Sequence, residues 1–299
     1  MRRLIPALFL LVLLITSPGC VKKLALMGLA DTMAAGGDSF GSDDDPELVR
    51  QAMPFALKTM ESLLEELPRH AGLLLATCKG FTQYAFAFVQ VDADLLEPVD
   101  YRGAMTLRRR AVGLYLRARD YGLRGLELEV AGIGARLRSE PEEAAAEVED
   151  VALLYWTATS WGAAISLGRH RPELTVDTDT VRAMMHRALE LDESFRDGAI
   201  HDVLITLESL PAAMGGSLER ARLHFQRAVE LSGGARASSF VALAEGVAVA
   251  EQDRQAFQRL LQQALAVDLD QEPSARVANR IYQRKARALL ERADDLFLD

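Results

Sequence analysis

Residues 221–231 read ARLHFQRAVEL, a helical stretch whose apolar spacing recurs along the chain. Ala221, Phe225 and Ala228 are spaced by four and then three residues, which places all three on one face of a helix. Small residues on either side of a large one allow a second helix to cross closely. The same spacing occurs at four other places, each ahead of a loop: Ala111-Tyr115-Ala118, Val181-Met185-Ala188, Phe257-Leu261-Ala264 and Ala56-Met60-Leu63. One occurrence of this spacing could arise by chance in any Ala-rich amphipathic helix. Five occurrences in order, however, predict stacked helix pairs.

The spacing resembles the second helix of a tetratricopeptide repeat. We therefore predict an all-α fold over residues 42–299, a tetratricopeptide-like helical repeat stack of about four helix pairs plus terminal capping helices. The first capping helix is predicted near 46–67, with Asp45 as its N-cap and Pro46 at its first position. The predicted pairs are 71–91 with 101–121, 150–168 with 178–191, 198–210 with 217–231, and 236–250 with 253–267. A closing helix is predicted near 274–296 and an extra short helix within 126–150.

The first twenty residues have the order of a secretory signal. Arg2 and Arg3 precede an apolar run of about 12 residues, too short to span a bilayer. The run ends in Gly19-Cys20, which resembles a bacterial lipobox. We predict a cleaved signal peptide over 1–19, lipidation of Cys20 and a lipidated tether over 20–41. An ordinary signal peptide with an incidental Cys20 is the alternative. The predicted location is the periplasm-facing envelope, and Val21 favours the outer over the inner membrane.

Composition excludes several classes of function. The chain carries 34 Lys and Arg against 43 Asp and Glu, a net charge of −9, whereas nucleic-acid binders need a basic stripe. Five His residues lack helical metal-ligand spacing, and no catalytic motif is present, so we expect no metal, no cofactor and no enzymatic activity. Besides Cys20, only Cys78 is left, in an apolar helical stretch that predicts a buried, inert thiol.

Aromatic residues are 6% of the chain but concentrate in residues 81–88 and 154–162, the second of which contains both Trp. Both segments fall on first helices of predicted pairs, which line the concave surface of a tetratricopeptide stack. This placement favours a groove or pore with aromatic walls, and the alternative is ordinary core packing. The candidate ligand- or partner-binding residues are Phe81, Tyr84, Phe88, Tyr155, Trp156 and Trp161.

The chain also resembles a known family over nearly all of residues 20–299. The matching strings are DDDPELVR at 43–50, PFALK at 54–58, GFTQYAFAFV at 80–89, LYWTA at 154–158 and ALELD at 188–192. They resemble the TatT family, the T components of tripartite ATP-independent periplasmic (TRAP) transporters. The resemblance implies a periplasmic lipoprotein that associates with a TRAP solute-binding subunit and handles an apolar or amphipathic solute. It also leaves open assembly as a homotrimer with a pore, and it implies no catalytic residues.

Two kinds of non-catalytic function follow from these patterns. The leading hypothesis is an accessory component of solute uptake, which docks the solute-binding subunit or receives a hydrophobic or amphipathic solute. The alternative is a tetratricopeptide scaffold lipoprotein that recruits envelope-assembly proteins by binding peptides. A peptide groove should favour Asn, Lys and Arg, whereas the candidate lining is aromatic and Ala-rich, which favours an apolar ligand.

Overall fold

The computed structural model describes residues 18–36 and 38–298, and the side chains of residues 18–20, 38 and 39 are not described. These residues form helices and turns without strands. The helices are α1 (Pro18–Ala35), α2 (Pro46–Glu66), α3 (Ala71–Ala85), α4 (Val91–Leu96), α5 (Tyr101–Glu129), α6 (Ile133–Ser139), α7 (Pro141–Ala146), α8 (Val151–Leu167), α9 (Thr178–Leu191), α10 (Ala199–Glu208), α11 (Leu218–Ser232), α12 (Ala237–Leu243), α13 (Arg254–Ala266) and α14 (Arg276–Glu291). Single helical turns occur at Asp38–Gly41, Pro172–Thr175 and Ala293–Leu296.

The predicted pairs are present and stack in chain order. Helix α3 packs against α5, α8 against α9, α10 against α11, and α12 against α13. The recurring faces form the crossings: except for Ala56 and Phe225, which are half-buried, every residue of the five repeated triplets is buried. The all-α fold of stacked helix pairs is therefore confirmed. The closer likeness to tetratricopeptide repeats stays a prediction.

Helix ends agree with the local capping signals. The Asp45 carboxylate accepts hydrogen bonds from the backbone amides of Glu47 and Leu48, at 2.9 and 3.1 Å, at the start of α2. Asp150 caps α8 in the same way through the amide of Leu153. Because these signals are local, the predicted starts of the helices lie within about two residues of the observed ones.

The first pair differs from its predicted bounds. Helix α3 continues through a π-helical turn, Phe86–Gln90, directly into α4. Helix α5 extends to Glu129, so residues 126–129 form the end of a helix. The predicted extra helix within 126–150 is two short helices, α6 and α7, and the turn before α6 places Gly132 in the left-handed region at φ +77°.

The predicted tether is mostly helical and lies against the stack. In α1, Ala30 is fully buried in an apolar cluster with Leu63, Leu64 and Leu73 of α2 and α3. Asp31 lies 3.1 Å from His70 Nε2. Most of the predicted signal peptide, residues 1–17, lies outside the described residues, as does the Cys20 side chain, so processing and lipidation stay predictions. No helix within 18–36 and 38–298 is long and apolar enough to cross a membrane.

The closing helix returns to the start of the stack. Helix α14 packs against α2, α4 and the Asp38–Gly41 turn. Phe86 and Tyr282 meet with ring centroids 4.9 Å apart. Arg276 donates a hydrogen bond to the Ser42 carbonyl oxygen at 2.9 Å, and Arg284 reaches Asp92 at 3.0 Å. The last helix and the first helices therefore share one seam.

Candidate functional site

The six aromatic candidates are all buried and belong to one apolar core cluster. That cluster extends from α2 through α10 and includes Val277 and Ile281 of α14. The structure therefore brings both aromatic segments into the same core. Their assignment to ligand or partner binding stays a prediction.

On α3, the aromatic side chains pack among cations of α5. Phe81 stacks on Tyr121 with centroids 6.1 Å apart and nearly parallel planes, and the Arg117 guanidinium lies 5.1 Å from its centroid. Tyr84 meets Phe88 at 5.8 Å, and Arg110 lies 6.0 Å from the Tyr84 ring. These contacts hold the aromatic side of α3 against α5.

Trp161 is completely buried and has a polar partner. Its indole Nε1 donates a hydrogen bond to the Asp177 carboxylate at 3.2 Å. Guanidinium groups of Arg119 and Arg138 lie 5.1 and 5.4 Å from the Trp161 ring, and Arg138 also contacts Asp177 at 3.4 Å. Indole N–H groups need such a partner when they are buried. This ring connects α8 to α5, to α6 and to the loop before α9.

Tyr155 and Trp156 lie beside a buried polar network. Asp202 of α10 accepts hydrogen bonds from Arg236 Nε at 3.0 Å, from Ser238 at 2.6 Å and from Ser239. Burial raises the pKa of the Tyr155 and Tyr282 hydroxyls, and the Asp202 carboxylate raises both further. Its hydrogen bonds join α10 to the start of α12, and the charge of Asp202 acts on Tyr155 of α8 and Tyr282 of α14.

Phe88 lines a solvent-accessible cleft at the seam between α2 and α14. One part of the cleft, with a volume of about 260 Å³, is lined by Asp45, Pro46, Glu47, Arg50, Phe88, Arg280, Ile281 and Arg284. An adjoining part of about 310 Å³ is lined by Pro46, Leu269, Arg280, Gln283, Arg284 and Arg287. We call the two parts together the seam cleft. Its size is at the lower end of the range for small-molecule sites.

The charges of the seam cleft are unequally paired. Arg50 binds the Asp92 carboxylate and lies 2.9 Å from Glu47, and its guanidinium is 4.9 Å from the Phe88 ring. Asp92 also forms an ion pair with Arg284, so one carboxylate is shared by two guanidinium groups. The hydrogen bond to Asp92 is the largest influence that raises the pKa of Arg50. Sequence patterns gave no sign of this cleft, because it joins residues far apart in the chain.

Sequence spacing also missed a pair of histidines. His201 of α10 and His224 of α11 lie with their Nδ1 atoms 2.9 Å apart, and Glu193 lies 3.4 Å from the other side of His201. Burial lowers the pKa of both imidazoles, that of His224 to about 4. A rule for spacing within one helix cannot find a pair that forms across two helices. Within the described residues, no group of three or more candidate ligands could hold a metal ion.

Cys78 is buried on α3, as predicted. Burial is the main cause that raises the pKa of its thiol to about 12, although several hydroxyl groups around it act in the opposite direction. A thiol that stays protonated at neutral pH is a poor nucleophile. Cys78 is therefore a core residue of the α3–α5 crossing.

Comparison with known proteins extends over almost the whole chain. The model of the family described as "TRAP transporter T-component" matches residues 42–297. An uncharacterized protein of Treponema pallidum (strain Nichols) is 30% identical in an alignment 306 positions long, which covers 94% of each chain. The match of the family model begins just before α2 and ends after the last helical turn, so it includes the helix pairs, the aromatic core and the seam cleft.

Proposed function

The chain belongs to the TRAP transporter T-component family, and from that membership we propose that it is a lipid-anchored periplasmic accessory protein that docks a TRAP solute-binding subunit and holds an amphipathic solute. The observation that carries the proposal is the match of the family model over residues 42–297. That range contains the whole helix-pair stack, so the proposed role belongs to the fold as a unit. The role requires binding and positioning and no chemical step.

Two structural features support a binding role. Helix α10 is tied to the start of α12 by the buried Asp202 network, and a rigid protein binds a partner with less ordering cost than a flexible one. The seam cleft adds a concave surface with aromatic, aliphatic and cationic lining. The alternative role, a scaffold that binds extended peptides, needs an open concave groove. The return of α14 to α2 and α4 leaves less room for such a groove.

The anchor is part of the proposal and is tested separately. Gly19-Cys20 behind the apolar run motivates it. The variant Cys20→Ser should lose acyl labelling and move from the membrane fraction to the soluble fraction. Retention of Cys20→Ser on membranes washed with high salt would show that something other than a lipid on Cys20 holds the protein.

Docking is tested by pull-down of a purified TRAP solute-binding subunit from the same organism, using wild type and Cys20→Ser. We expect both to recover the subunit in solution, because a lipid anchor raises only the local concentration. Light scattering of the protein alone also tests assembly of this 32.8 kDa chain as a homotrimer, which the family resemblance leaves open. If neither form binds the subunit at micromolar concentrations, the accessory docking role is wrong.

A further inference from the structure

We propose that helix α1 lies on the membrane surface, with Val21, Leu24 and Met27 in the zone between the lipid headgroups and the acyl chains. The partner of this helix is a bilayer that contains anionic lipid. The inference rests on the proposed lipid anchor at Cys20 and goes beyond it, because an anchor alone leaves the protein free to turn above the membrane. Contact along α1 instead holds the helix stack in one orientation.

The first argument is an apolar face of α1 that stays exposed. One side of α1 packs on the stack through three apolar residues, Leu26, Ala30 and Met33. Another side carries Val21, Leu24 and Met27, which are 56%, 73% and 42% exposed. Consecutive members of this second set are three residues apart, so they are neighbours on the helix surface, and we call them the open face. A helix that is apolar on several sides is ordinarily buried on all of them, so the open face needs an apolar partner.

The second argument is the short distance between the open face and the proposed lipid. Cys20 and the open face belong to the same helix, Pro18–Ala35. At about 1.5 Å per residue, Leu24 lies about 6 Å from Cys20 along the helix axis and Met27 about 10 Å. The headgroup layer beside a bilayer core is about 5–8 Å thick, and interfacial helices bury their apolar face by about 5–10 Å. Acyl chains on Cys20 would therefore bring the open face to the headgroup layer.

The third argument is charge complementarity with anionic lipid. Lys22 and Lys23 are the only charged residues between positions 18 and 30, in a chain of net charge −9. Lys22 lies 3.0 Å from Glu66 of α2, and Lys23 is exposed. The first carboxylate of α1 is Asp31, which lies beyond the open face. Apolar side chains flanked by lysines are typical of helices that bind anionic membrane surfaces.

The fourth argument is that α1 is attached to the stack and is not a loose tether. It packs against α2 and α3. A Cβ added at Gly72 of α3 would lie 3.2 Å from the Ala34 Cβ, so the two helices approach closely. The contact of Asp31 with His70, at 3.1 Å, adds a polar link to the start of α3. Contact of α1 with lipid would therefore keep the α1 side of the whole stack toward the membrane.

The test measures the depth of fluorescent labels in the membrane. Leu24→Cys and, as a control on α11, Leu223→Cys are labelled with a thiol-reactive fluorophore, because both positions are exposed whereas the native Cys78 is buried. The acylated protein is purified from membranes and reconstituted in vesicles of phosphatidylethanolamine and phosphatidylglycerol with brominated acyl chains. We expect the label at position 24 to lose most of its fluorescence and the label at position 223 to keep it, because bromine quenches groups at acyl-chain depth.

A second pair of variants tests the open face while the label stays outside the substituted position. A label at Met27→Cys leaves Val21 and Leu24 in place and should also be quenched. Addition of Leu24→Asp should restore most of its fluorescence, because a carboxylate opposes burial in lipid and is repelled by anionic headgroups. Addition of Leu223→Asp introduces the same charge outside α1 and should leave the quenching unchanged.

The inference would be overturned if both labels on α1 kept their fluorescence while the protein stayed on the vesicles. The lipid anchor would then be intact, and α1 would stand clear of the membrane. Energy transfer between donor-labelled and acceptor-labelled molecules, without quenching by bromine, would assign the open face to contact between two copies of the chain. Protein that does not stay on the vesicles would contradict the anchor and the inference together, and it would leave the docking role to its own pull-down.

Discussion

Replacement of Trp161 by Ala distinguishes a core residue from a ligand contact. Trp161 is fully buried, donates to Asp177 and lies between the guanidinium groups of Arg119 and Arg138. Truncation of a buried Trp costs about 3–5 kcal/mol, because the apolar contacts are lost and a cavity is left. Asp177 keeps Arg138 at 3.4 Å, which limits the cost of its lost partner. We therefore expect a loss of about 4 kcal/mol in the free energy of unfolding.

The measurement is urea denaturation of wild type and Trp161→Ala, followed by far-UV circular dichroism. The matched control is Trp161→Phe, which keeps an aromatic ring and most of the apolar volume and removes the N–H donor. It should cost about 1–2 kcal/mol. The reasoning would be refuted if Trp161→Ala lowered the free energy of unfolding by less than about 1 kcal/mol and also weakened binding of an amphipathic solute. The indole would then face a ligand cavity rather than the α5–α8 crossing.

Two further predictions concern packing and pH. Ala228→Leu should lower the free energy of unfolding by about 1–3 kcal/mol, because Ala228 is buried and a Cβ added at Gly198 would already lie 3.3 Å from its Cα. Ala52→Leu at an exposed position of α2 is the control, and equal denaturation midpoints for both would contradict the close crossing. Stability should also fall between pH 7 and pH 5, since unfolded His224 gains a proton near pH 6.5 while the folded form resists protonation until about pH 4. His224→Gln should flatten this dependence and His170→Gln, at an exposed position, should not.

The order of the helices was predictable because its signals are local. Asp45, Asp150 and Asp253 each cap the helix that follows them, and a cap is visible in a few residues of sequence. The crossings were predictable for a related reason. A triplet such as Ala221, Phe225 and Ala228 encodes both the face of the helix and the close approach of its neighbour.

Contacts between distant elements were not predictable in the same way. The contact of Phe86 with Tyr282 and the pairing of Arg284 with Asp92 join the first and last parts of the stack. Their formation depends on the accumulated rotation of the helix pairs, which no local pattern specifies. The His201–His224 pair was missed because each residue comes from a different helix.

The aromatic candidates show where sequence reasoning about the site ended. Composition identified the two aromatic segments, and the structure places both in one core. The sequence could not show which rings face the core and which face a cavity. Helix α8 is apolar almost all round, so it has no polar face that would distinguish the two. Phe88 alone of the six lines the seam cleft, and the cleft depends on α14.

The aromatic core around Trp161 and the seam cleft differ in how their polar groups are paired. At Trp161, the indole N–H is satisfied by Asp177 within the protein, so the contacts that order the ring also stabilise the fold. At the seam, closure of α14 brings Arg280 and Arg287 beside Arg50 and Arg284, and Asp92 is shared by the last two. The remaining repulsion and the unpartnered Arg280 Nε weaken the closed stack. The seam cleft therefore combines an apolar lining with incompletely paired cations, whereas the Trp161 indole N–H has its partner within the protein.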